Sequence, residues 1–527
     1  MNLEMTKPLI SIIVTTYNTE KFVKICLDSI IDQDYPNKQI IVVDDGSTDK
    51  SVEVATKILS KLPKGTSLII EKPHTNAPDT RNTGFKEAKG DYILFLDTDK
   101  KLAPGWFTNN IDFLEKNPEY GFQYGGYSIC DDDALENVIM EYRADTFDTF
   151  FLKQFNYIDG SNIMRVECFD YVVRKQGGWD PELKSLQDWD IWLTITEKYK
   201  GYYEPTINFY TALPGGSGIS CPPEEWLNRM DAVKKKHGLK DNKLCVTSLG
   251  APEHAKKMAK VLDADFRIMP SQKPHRYEMI YCLGFYPQAI DSHASIFKDH
   301  KGVRLIHWIG TDILQLAQLQ NISALKVKEI LNSEFKNQLS EVEYAQDRLK
   351  FMGVKTDIVP LPVENEVDVC PLPEDFSVAV YVPDNNREVH NLELLKEIMQ
   401  IMPDVKFKVF GTASEVGEQD NIEYLGYLDK DKMKKLIQDT SMLLRLTVHD
   451  GLPLSVCEWI MAGRNVLFNK KLPYCEITEN DSKQIVDKIR EMKTLPLNEI
   501  GAQYYRKWLN KDNYIKKIYG YLKKTKA

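Results

Sequence analysis

The sequence predicts an α/β protein: a mostly parallel, Rossmann-like mixed sheet followed by a pair of further Rossmann-like halves. Three observations predict it. Short β-branched apolar runs of buried-strand type alternate with runs of helical spacing. Carboxylates gather at the predicted strand ends, where open parallel sheets take their ligands. The alternation breaks and restarts twice, at KHGLKDN (236–242) and across the Pro- and acid-rich VENEVDVCPLPED (363–375). These breaks predict units at 1–238, 239–365 and 366–527.

In chain order, LISIIVTT (9–16) reads as a buried strand and 20–32 as a helix with Phe22, Val23, Cys26, Leu27, Ile30 and Ile31 on one side. QIIVVDD (39–45) is a second strand ended by Gly46, with Ser47 and Asp49 as caps for the next helix. SLIIEK (67–72) is a third strand, RNTGFKEAKG (81–90) a helix closed by Gly90, and DYILFLD (91–97) a fourth strand. After the first break come a strand at KLCVTSL (243–249), a helix at GAPEHAKKMAKVL, and strands at EMIYCLG, VRLIHWIG and TDIVPLP. After the second break the strands are SVAVYVP, FKVFGT, IEYLG, SMLLRLT and NVLFN. No short-period repeat or long low-complexity segment interrupts this pattern.

Composition excludes several classes. The net charge is −9, which argues against a nucleic-acid partner. No apolar stretch approaches the roughly 18 residues needed to span a bilayer. The N-terminus lacks a signal-peptide layout, and the nine cysteines are scattered without a C-x-x-C pair. Reduced thiols and a cytoplasmic location, with the inner face of the membrane as the alternative, are therefore expected. KKLIQDTSMLL and YIKKIYGYLKKTKA are candidates for peripheral membrane contact, although solvated helix faces are the favoured reading.

The chemistry begins with Asp97-Thr98-Asp99. A diphosphate needs neutralising, and a divalent metal on one or two carboxylates plus phosphate oxygens is the usual answer. A bend at a strand end lets both carboxylates reach one spot. Asp44-Asp45-Gly46, at a neighbouring strand end, offers acceptors for a base or ribose, and Arg81 can contact phosphate. Singly, a D-x-D is more often a solvated turn and a DDGS run a plain turn. Acidic strand ends that recur in one sheet are harder to dismiss. In SLQDWDIWLTI (185–195), Asp188 and Asp190 lie between Trp179, Trp189 and Trp192. A carboxylate beside apolar surface can serve as a base for a hydroxyl; the bland alternative is that Asp188 caps the helix.

The run LISIIVTTYNTEKFVKICLDSIIDQDYPNKQIIVVDDGSTDKS closely resembles the start of family 2 glycosyltransferases, which have the GT-A fold. The resemblance continues through TRNTGFKEAKGDYILFLDTDKKLAPGWF and GGWDPELKSLQDWDIWLTI, covering about residues 8–215. It implies that Thr15, Tyr17 and Asp45 hold the nucleoside of a nucleotide sugar, with a UDP-sugar as the default donor. Arg81 then lies near base and phosphate, Asp97 contacts ribose and metal, Asp99 holds the metal (Mn2+ or Mg2+), and Asp188 is the base of an inverting transfer. Two departures follow. Many relatives read D-x-D-D, where this chain has Lys100, and many carry a metal-joining His where NFYTALPGGSGIS has none, so weaker metal dependence is expected. GGSG (215–218) reads equally as a lid or as a plain loop.

The stretch HDGLPLSVCEWIMAGRN places Asp450 after a strand, with Ser455 as cap of a helix carrying Glu458. A helix N-terminus can receive a diphosphate and Glu458 can accept from ribose hydroxyls; two incidental acids on a buried helix are the bland alternative. The motif resembles, more loosely, the acidic-x7-acidic signature of family 4 glycosyltransferases of GT-B fold, with Asp450 in place of the first Glu. LGYLDKDKMKKLIQDTSMLLRL, HWIGTDI and the final YYRKWLNKDNYIKKIYGYL fit that scheme. The resemblance implies a metal-independent, retaining site with Arg387, Asp450 and Glu458 binding donor. It also implies a terminal helix that crosses back over the first half. The expected Lys beside Arg387 is missing, and the glycine-rich acceptor loop is reduced to Leu249-Gly250-Ala251. The leading expectation is a bifunctional glycosyltransferase extending a glycan or lipid-linked glycan, as in surface polysaccharide synthesis. The alternatives are a single inverting transferase whose C-terminal half only binds, and a non-catalytic sugar-nucleotide-binding scaffold.

Overall fold

The computed structural model describes residues 7–213, 223–248, 250–268, 277–285, 300–318, 335–363, 367–384, 387–413 and 419–524, with 297, 327 and 329–333 between them. The expected GGSG segment and Leu249 lie outside the described residues. The chain divides into two compact units at Asp241/Asn242, three residues beyond the expected break.

The first unit is built on one nine-stranded sheet: β1 (Ile10–Thr16), β2 (Lys38–Asp44), β3 (Ser67–Glu71), β4 (Tyr92–Asp97), β5 (Lys100–Leu102), β6 (Tyr120–Cys130), β7 (Val138–Tyr142), β8 (Met164–Arg165) and β9 (Lys200–Ala212). The order is β3-β2-β1-β4-β8-β6-β9-β5, with β7 beside β6. β1 to β4 are parallel, and antiparallel β8 turns the sheet into a mixed one. β1 is buried throughout, as its Ile- and Val-rich run demands, with Ser11 bonded to Gln39. The core beneath it joins Val23, Cys26, Leu27 and Ile30 to Ile12, Val42 and Leu94.

Several local expectations are corrected. The helix expected at 81–90 runs over Ala77–Phe85, because Asn76 caps it by accepting from the Asp79 N–H at 2.9 Å, with Pro78 in the first turn. Arg81 therefore sits mid-helix. Ser47 caps no helix; its hydroxyl accepts from the Asn18 N–H, while Asp49 accepts from Ser51, the first residue of helix Ser51–Leu59.

The second unit holds two six-stranded parallel sheets. One contains β10 (Leu244–Thr247), β11 (Asp265–Phe266), β12 (Met279–Leu283), β13 (Val303–Trp308), β14 (Asn337–Ser340) and β15 (Asp357–Ile358) in the order β11-β10-β12-β13-β14-β15. The other contains β16 (Ser377–Tyr381), β17 (Lys406–Phe410), β18 (Ile422–Gly426), β19 (Met442–Arg445), β20 (Asn465–Phe468) and β21 (Glu476–Ile477) in the order β18-β17-β16-β19-β20-β21. The order reverses at β16/β19, the kind of switch point where α/β sheets open a crevice. The final helix, Lys511–Lys524, returns to the first of these sheets: Tyr514 meets the Tyr281 hydroxyl at 2.8 Å and Tyr519 donates to the Leu262 carbonyl at 2.8 Å.

Candidate active site

β1 lies between β2 and β4, with Thr16 opposite Asp44 and Thr15 opposite Asp97, so three polar strand ends share one edge. The Thr15 hydroxyl donates to Asp97 Oδ1 at 2.6 Å, and Arg81 Nη2 reaches both oxygens of Asp97 at 2.8 and 3.1 Å. Burial alone would raise the Asp97 carboxyl, but the charges of Arg81 and Lys100 outweigh it and hold it down. Arg81 also lies over the Trp179 ring at 4.7 Å and donates to Gln187 at 3.2 Å. Next to it, Asn82 exchanges hydrogen bonds of 2.8 and 2.9 Å with the backbone of Trp179. One helical turn thus ties the D-x-D strand to the loop that leads into Asp188.

Asp188 stands in the first turn of helix Gln187–Ile195, one residue inside it, and does not cap it. Leu186, at φ 58°, turns the chain sharply into that helix. Asp188 accepts from Asn156 Nδ2 at 2.8 Å and from the Trp189 N–H at 2.9 Å. Burial, reinforced by the nearby Asp159 charge, pushes its carboxyl up to about 6. Gly160 keeps the space beside it clear, since a Cβ there would meet the Asp188 Cβ at 3.3 Å. A cavity of about 150 Å³ joins Asp188 to Arg81, Asp97, Lys100, Asp159 and Trp179. Asp190, two residues on, is fully buried and bound by Gln176, Lys236 and His237 at 2.7 to 2.9 Å. It anchors the helix and takes no part in the cavity.

Asp99 differs from Asp97. Its Oδ1 is buried without a partner among the described residues, and burial plus the Asp97 charge push its carboxyl up. An unsatisfied buried carboxylate oxygen beside a second carboxylate suits a hard divalent cation. Among the described residues no group of three or more His, Cys, Asp or Glu side chains converges as a ready cage. Asp97 and Asp99 are thus the two carboxylates that would hold such a cation, with phosphate oxygens or water as its other ligands. Lys100, the residue that departs from D-x-D-D, lines the same cavity as Asp188 and pairs there with Asp159 at 2.8 Å and Ser161 at 2.8 Å, 4.5 Å from the Phe209 ring.

At the neighbouring strand end, Asp45 is bound by Lys72 Nζ at 2.6 Å and the Thr75 N–H at 3.0 Å. Burial opposes its charge, but these bonds win and its carboxyl falls below the usual range. His74 Nδ1 lies 2.9 Å from Asp45 Oδ2, and its ring stacks on Tyr17 at 4.2 Å and 18°. Lys72, His74, Asn156 and Asp159 were not signalled in the sequence. They reach the site from loops whose residues meet it only through the tertiary fold.

The second unit treats its acids differently. Asp450 is held by Arg445, with Nη2 at 2.5 Å and Nε at 3.2 Å, and Arg445 lies over Tyr381 at 4.5 Å. Arg387 is bound to Asp384 at 3.0 Å and Thr412 at 2.9 Å, and its Nε is buried without a partner among the described residues. Glu458 lines a separate cavity of about 250 Å³ with Lys257, Leu428, Met433, Ile437 and Leu454. Ser455 is not a cap: helix Leu454–Met461 starts after Pro453, and the serine hydroxyl faces Arg445 at 3.4 Å. Around Asp450 the chain is tightly packed. His449 contacts the Gly310 carbonyl at 2.6 Å, and a Cβ on Gly451 would strike Glu341 at 2.5 Å.

Residues 11–172 match the family described as glycosyl transferase family 2. The N-terminal unit holds a family 2 glycosyltransferase domain. An uncharacterized glycosyltransferase of Haemophilus influenzae is 37% identical over 127 residues, 24% of this chain and 50% of that protein, so the match spans only half of that relative. The putative teichuronic acid biosynthesis glycosyltransferase TuaG of Bacillus subtilis is 26% identical over 36% of this chain and 73% of its own. The UDP-Glc:alpha-D-GlcNAc-diphosphoundecaprenol beta-1,3-glucosyltransferase WfaP of Escherichia coli is 27% identical over 44% of this chain and 88% of its own. The family 2 match ends at residue 172, within the first unit. No helix among the described residues is long and apolar enough to cross a membrane.

Proposed function

We propose that the family 2 domain transfers a sugar with inversion from a UDP-sugar to a glycan or lipid-linked glycan, in the synthesis of a surface polysaccharide. The observation that carries this reading is the single cavity shared by Asp188 with Arg81 and Asp97. Asp188 takes the proton of the acceptor hydroxyl at a remaining lone pair of its carboxylate, whose two oxygens each accept one hydrogen bond, from Asn156 and from the Trp189 N–H. That hydroxyl attacks the anomeric carbon from the face opposite the diphosphate. Its carboxyl, pushed up to about 6, is basic enough to accept the proton and still ionised near neutrality. Arg81 orients the donor phosphates, while Tyr17, Thr15 and Asp45 hold the nucleoside. Asp99 and Asp97 would hold Mn2+ or Mg2+, which when bound neutralises the leaving diphosphate. WfaP is named for transfer from UDP-Glc to a GlcNAc-diphosphoundecaprenol, and TuaG is named as putative in teichuronic acid biosynthesis, which supports the same donor and acceptor classes here.

For the second unit we favour a binding role. Its candidate residues fall in two places, since Asp450 is engaged by Arg445 while Glu458 lines another cavity. A second, retaining activity at Arg387, Asp450 and Glu458 is the competing reading, supported by the β16/β19 switch point and the partly unsatisfied Arg387. Isothermal titration of the full chain with UDP separates them. One site, lost in Asp45→Asn, supports a single donor site; a second site, lost in Arg387→Ala, supports two.

A further inference from the structure

The carboxyl edge of β1 and β2 carries a contact that the proposed transfer does not require. His74 lies flat on Tyr17, with ring centroids 4.2 Å apart and planes 18° from parallel. Both rings are solvent-accessible, Tyr17 at 44% and the His74 side chain at 53%. Exposed stacking of this kind survives only if something aligns the rings. Here it is Asp45, whose Oδ2 lies 2.9 Å from His74 Nδ1 and whose carbonyl lies 3.1 Å from the same nitrogen. The loop is also held from below. Gly46, at φ +79°, lets the chain at His74 approach so closely that a Cβ would meet the His74 backbone nitrogen at 2.8 Å. The imidazole thus makes one face-to-face stack with a tyrosine and one N–H contact with a buried carboxylate.

A planar heterocycle with a ring N–H beside its stacking face would make the same two contacts. An aromatic face accepts any flat base, and an ionised carboxylate accepts only from a donor. Uracil carries such an N–H. We propose that His74 is a resident stand-in for the nucleobase: it occupies the Tyr17 face and the Asp45 acceptor until the donor nucleotide exchanges with it. This rests on the reading that Tyr17 and Asp45 hold the nucleoside. The exchange is a rotation of the His74 side chain into solvent, which its exposure allows, while Lys72 and the Thr75 N–H keep Asp45 in place. Binding is then weakened by the fraction of molecules in which His74 covers the site. The covering makes an empty site less adhesive toward other flat molecules.

The test is isothermal titration of UDP into the full-length chain as wild type, His74→Ala, His74→Phe and Tyr17→Ala. If about nine molecules in ten are covered, His74→Ala tightens UDP binding about tenfold. His74→Phe keeps the stack but loses the N–H contact, so its affinity should fall between the two. Tyr17→Ala should weaken UDP about tenfold, since it removes the stacking platform. Unchanged or weaker UDP binding in His74→Ala, with Tyr17→Ala still weakened, overturns the stand-in role alone and makes His74 a passive or supporting wall. UDP binding indifferent to Tyr17→Ala overturns the nucleoside reading, and the stand-in role with it.

Discussion

Both units place carboxylates at or near the ends of parallel strands, and burial raises one in each to about 6, Asp188 in the first and Asp312 in the second; what differs is what surrounds them. In the first unit Asp99 keeps a buried oxygen without a partner among the described residues, and Asp188 lines a cavity with Arg81 and Asp97. In the second, Asp384 accepts from Arg387, Thr412, Tyr427 and the Ala413 N–H, and Asp312 accepts from four backbone N–H groups of 285–313. Asp450 Oδ2 accepts from Arg445 Nη2 and Nε. A carboxylate with all its acceptor capacity used stabilises a fold. One held short of partners is available to a proton or a cation, at some cost in stability. The open oxygen of Asp99 and the cavity at Asp188 support the first unit as the place of the proposed chemistry.

Substitutions can sharpen or break that contrast. The largest effect is expected at Asp188: Asp188→Asn should cut kcat by about 10³-fold while UDP affinity, read by titration, stays within about twofold. Arg81→Ala should lower kcat/KM by about 10²-fold, because Asp97 and Gln187 lose their shared donor together with the phosphate contact. Asp99→Ala should reduce the gain in UDP affinity given by Mn2+ by on the order of tenfold. Undiminished gain would move the cation elsewhere.

Smaller effects concern pH and stability. A base must be unprotonated, so kcat/KM should fall as pH drops through about 6, the value burial and Asp159 give Asp188. Asp159→Asn removes a charge that raises this carboxyl, and the freed Lys100 lowers it further, so the acid limb should move to lower pH. In the second unit, Asp450→Asn should leave turnover within about twofold but destabilise the unit by about 2 kcal/mol, because it strands the buried Arg445 guanidinium. A lowered Tm with normal turnover would confirm a structural pair; lost turnover would break the contrast.

Much of this architecture is legible in the sequence. The apolar runs of β1, β2 and β4 and the acids that end β2 and β4 follow from local pattern alone. β14 escapes notice because NQLS has no apolar run: Gln338 is buried by bonding Trp308 and the Leu331 and Phe335 carbonyls, which no window of sequence shows. TDIVPLP reads as a strand but forms only the two-residue β15, since its prolines cannot donate to a ladder. In the site, Asp97, Asp99 and Asp188 are legible because strand ends and helix starts are local. Lys72, His74, Asn156 and Asp159 are not, because their partners lie 27 to 59 residues away. Arg387, Asp450 and Glu458 look alike in sequence. Only the fold shows that Asp450 is committed to Arg445 and that Glu458 faces another cavity.

The most direct measurement is nucleotide release by the full chain from a panel of UDP-sugars, with a lipid-diphosphate-linked sugar as acceptor and Mn2+ present. Wild type, Asp188→Asn and Asp450→Asn are compared side by side. The account predicts that Asp188→Asn alone loses release, while it still binds UDP. Release that persists in Asp188→Asn, or that disappears only in Asp450→Asn, would contradict it.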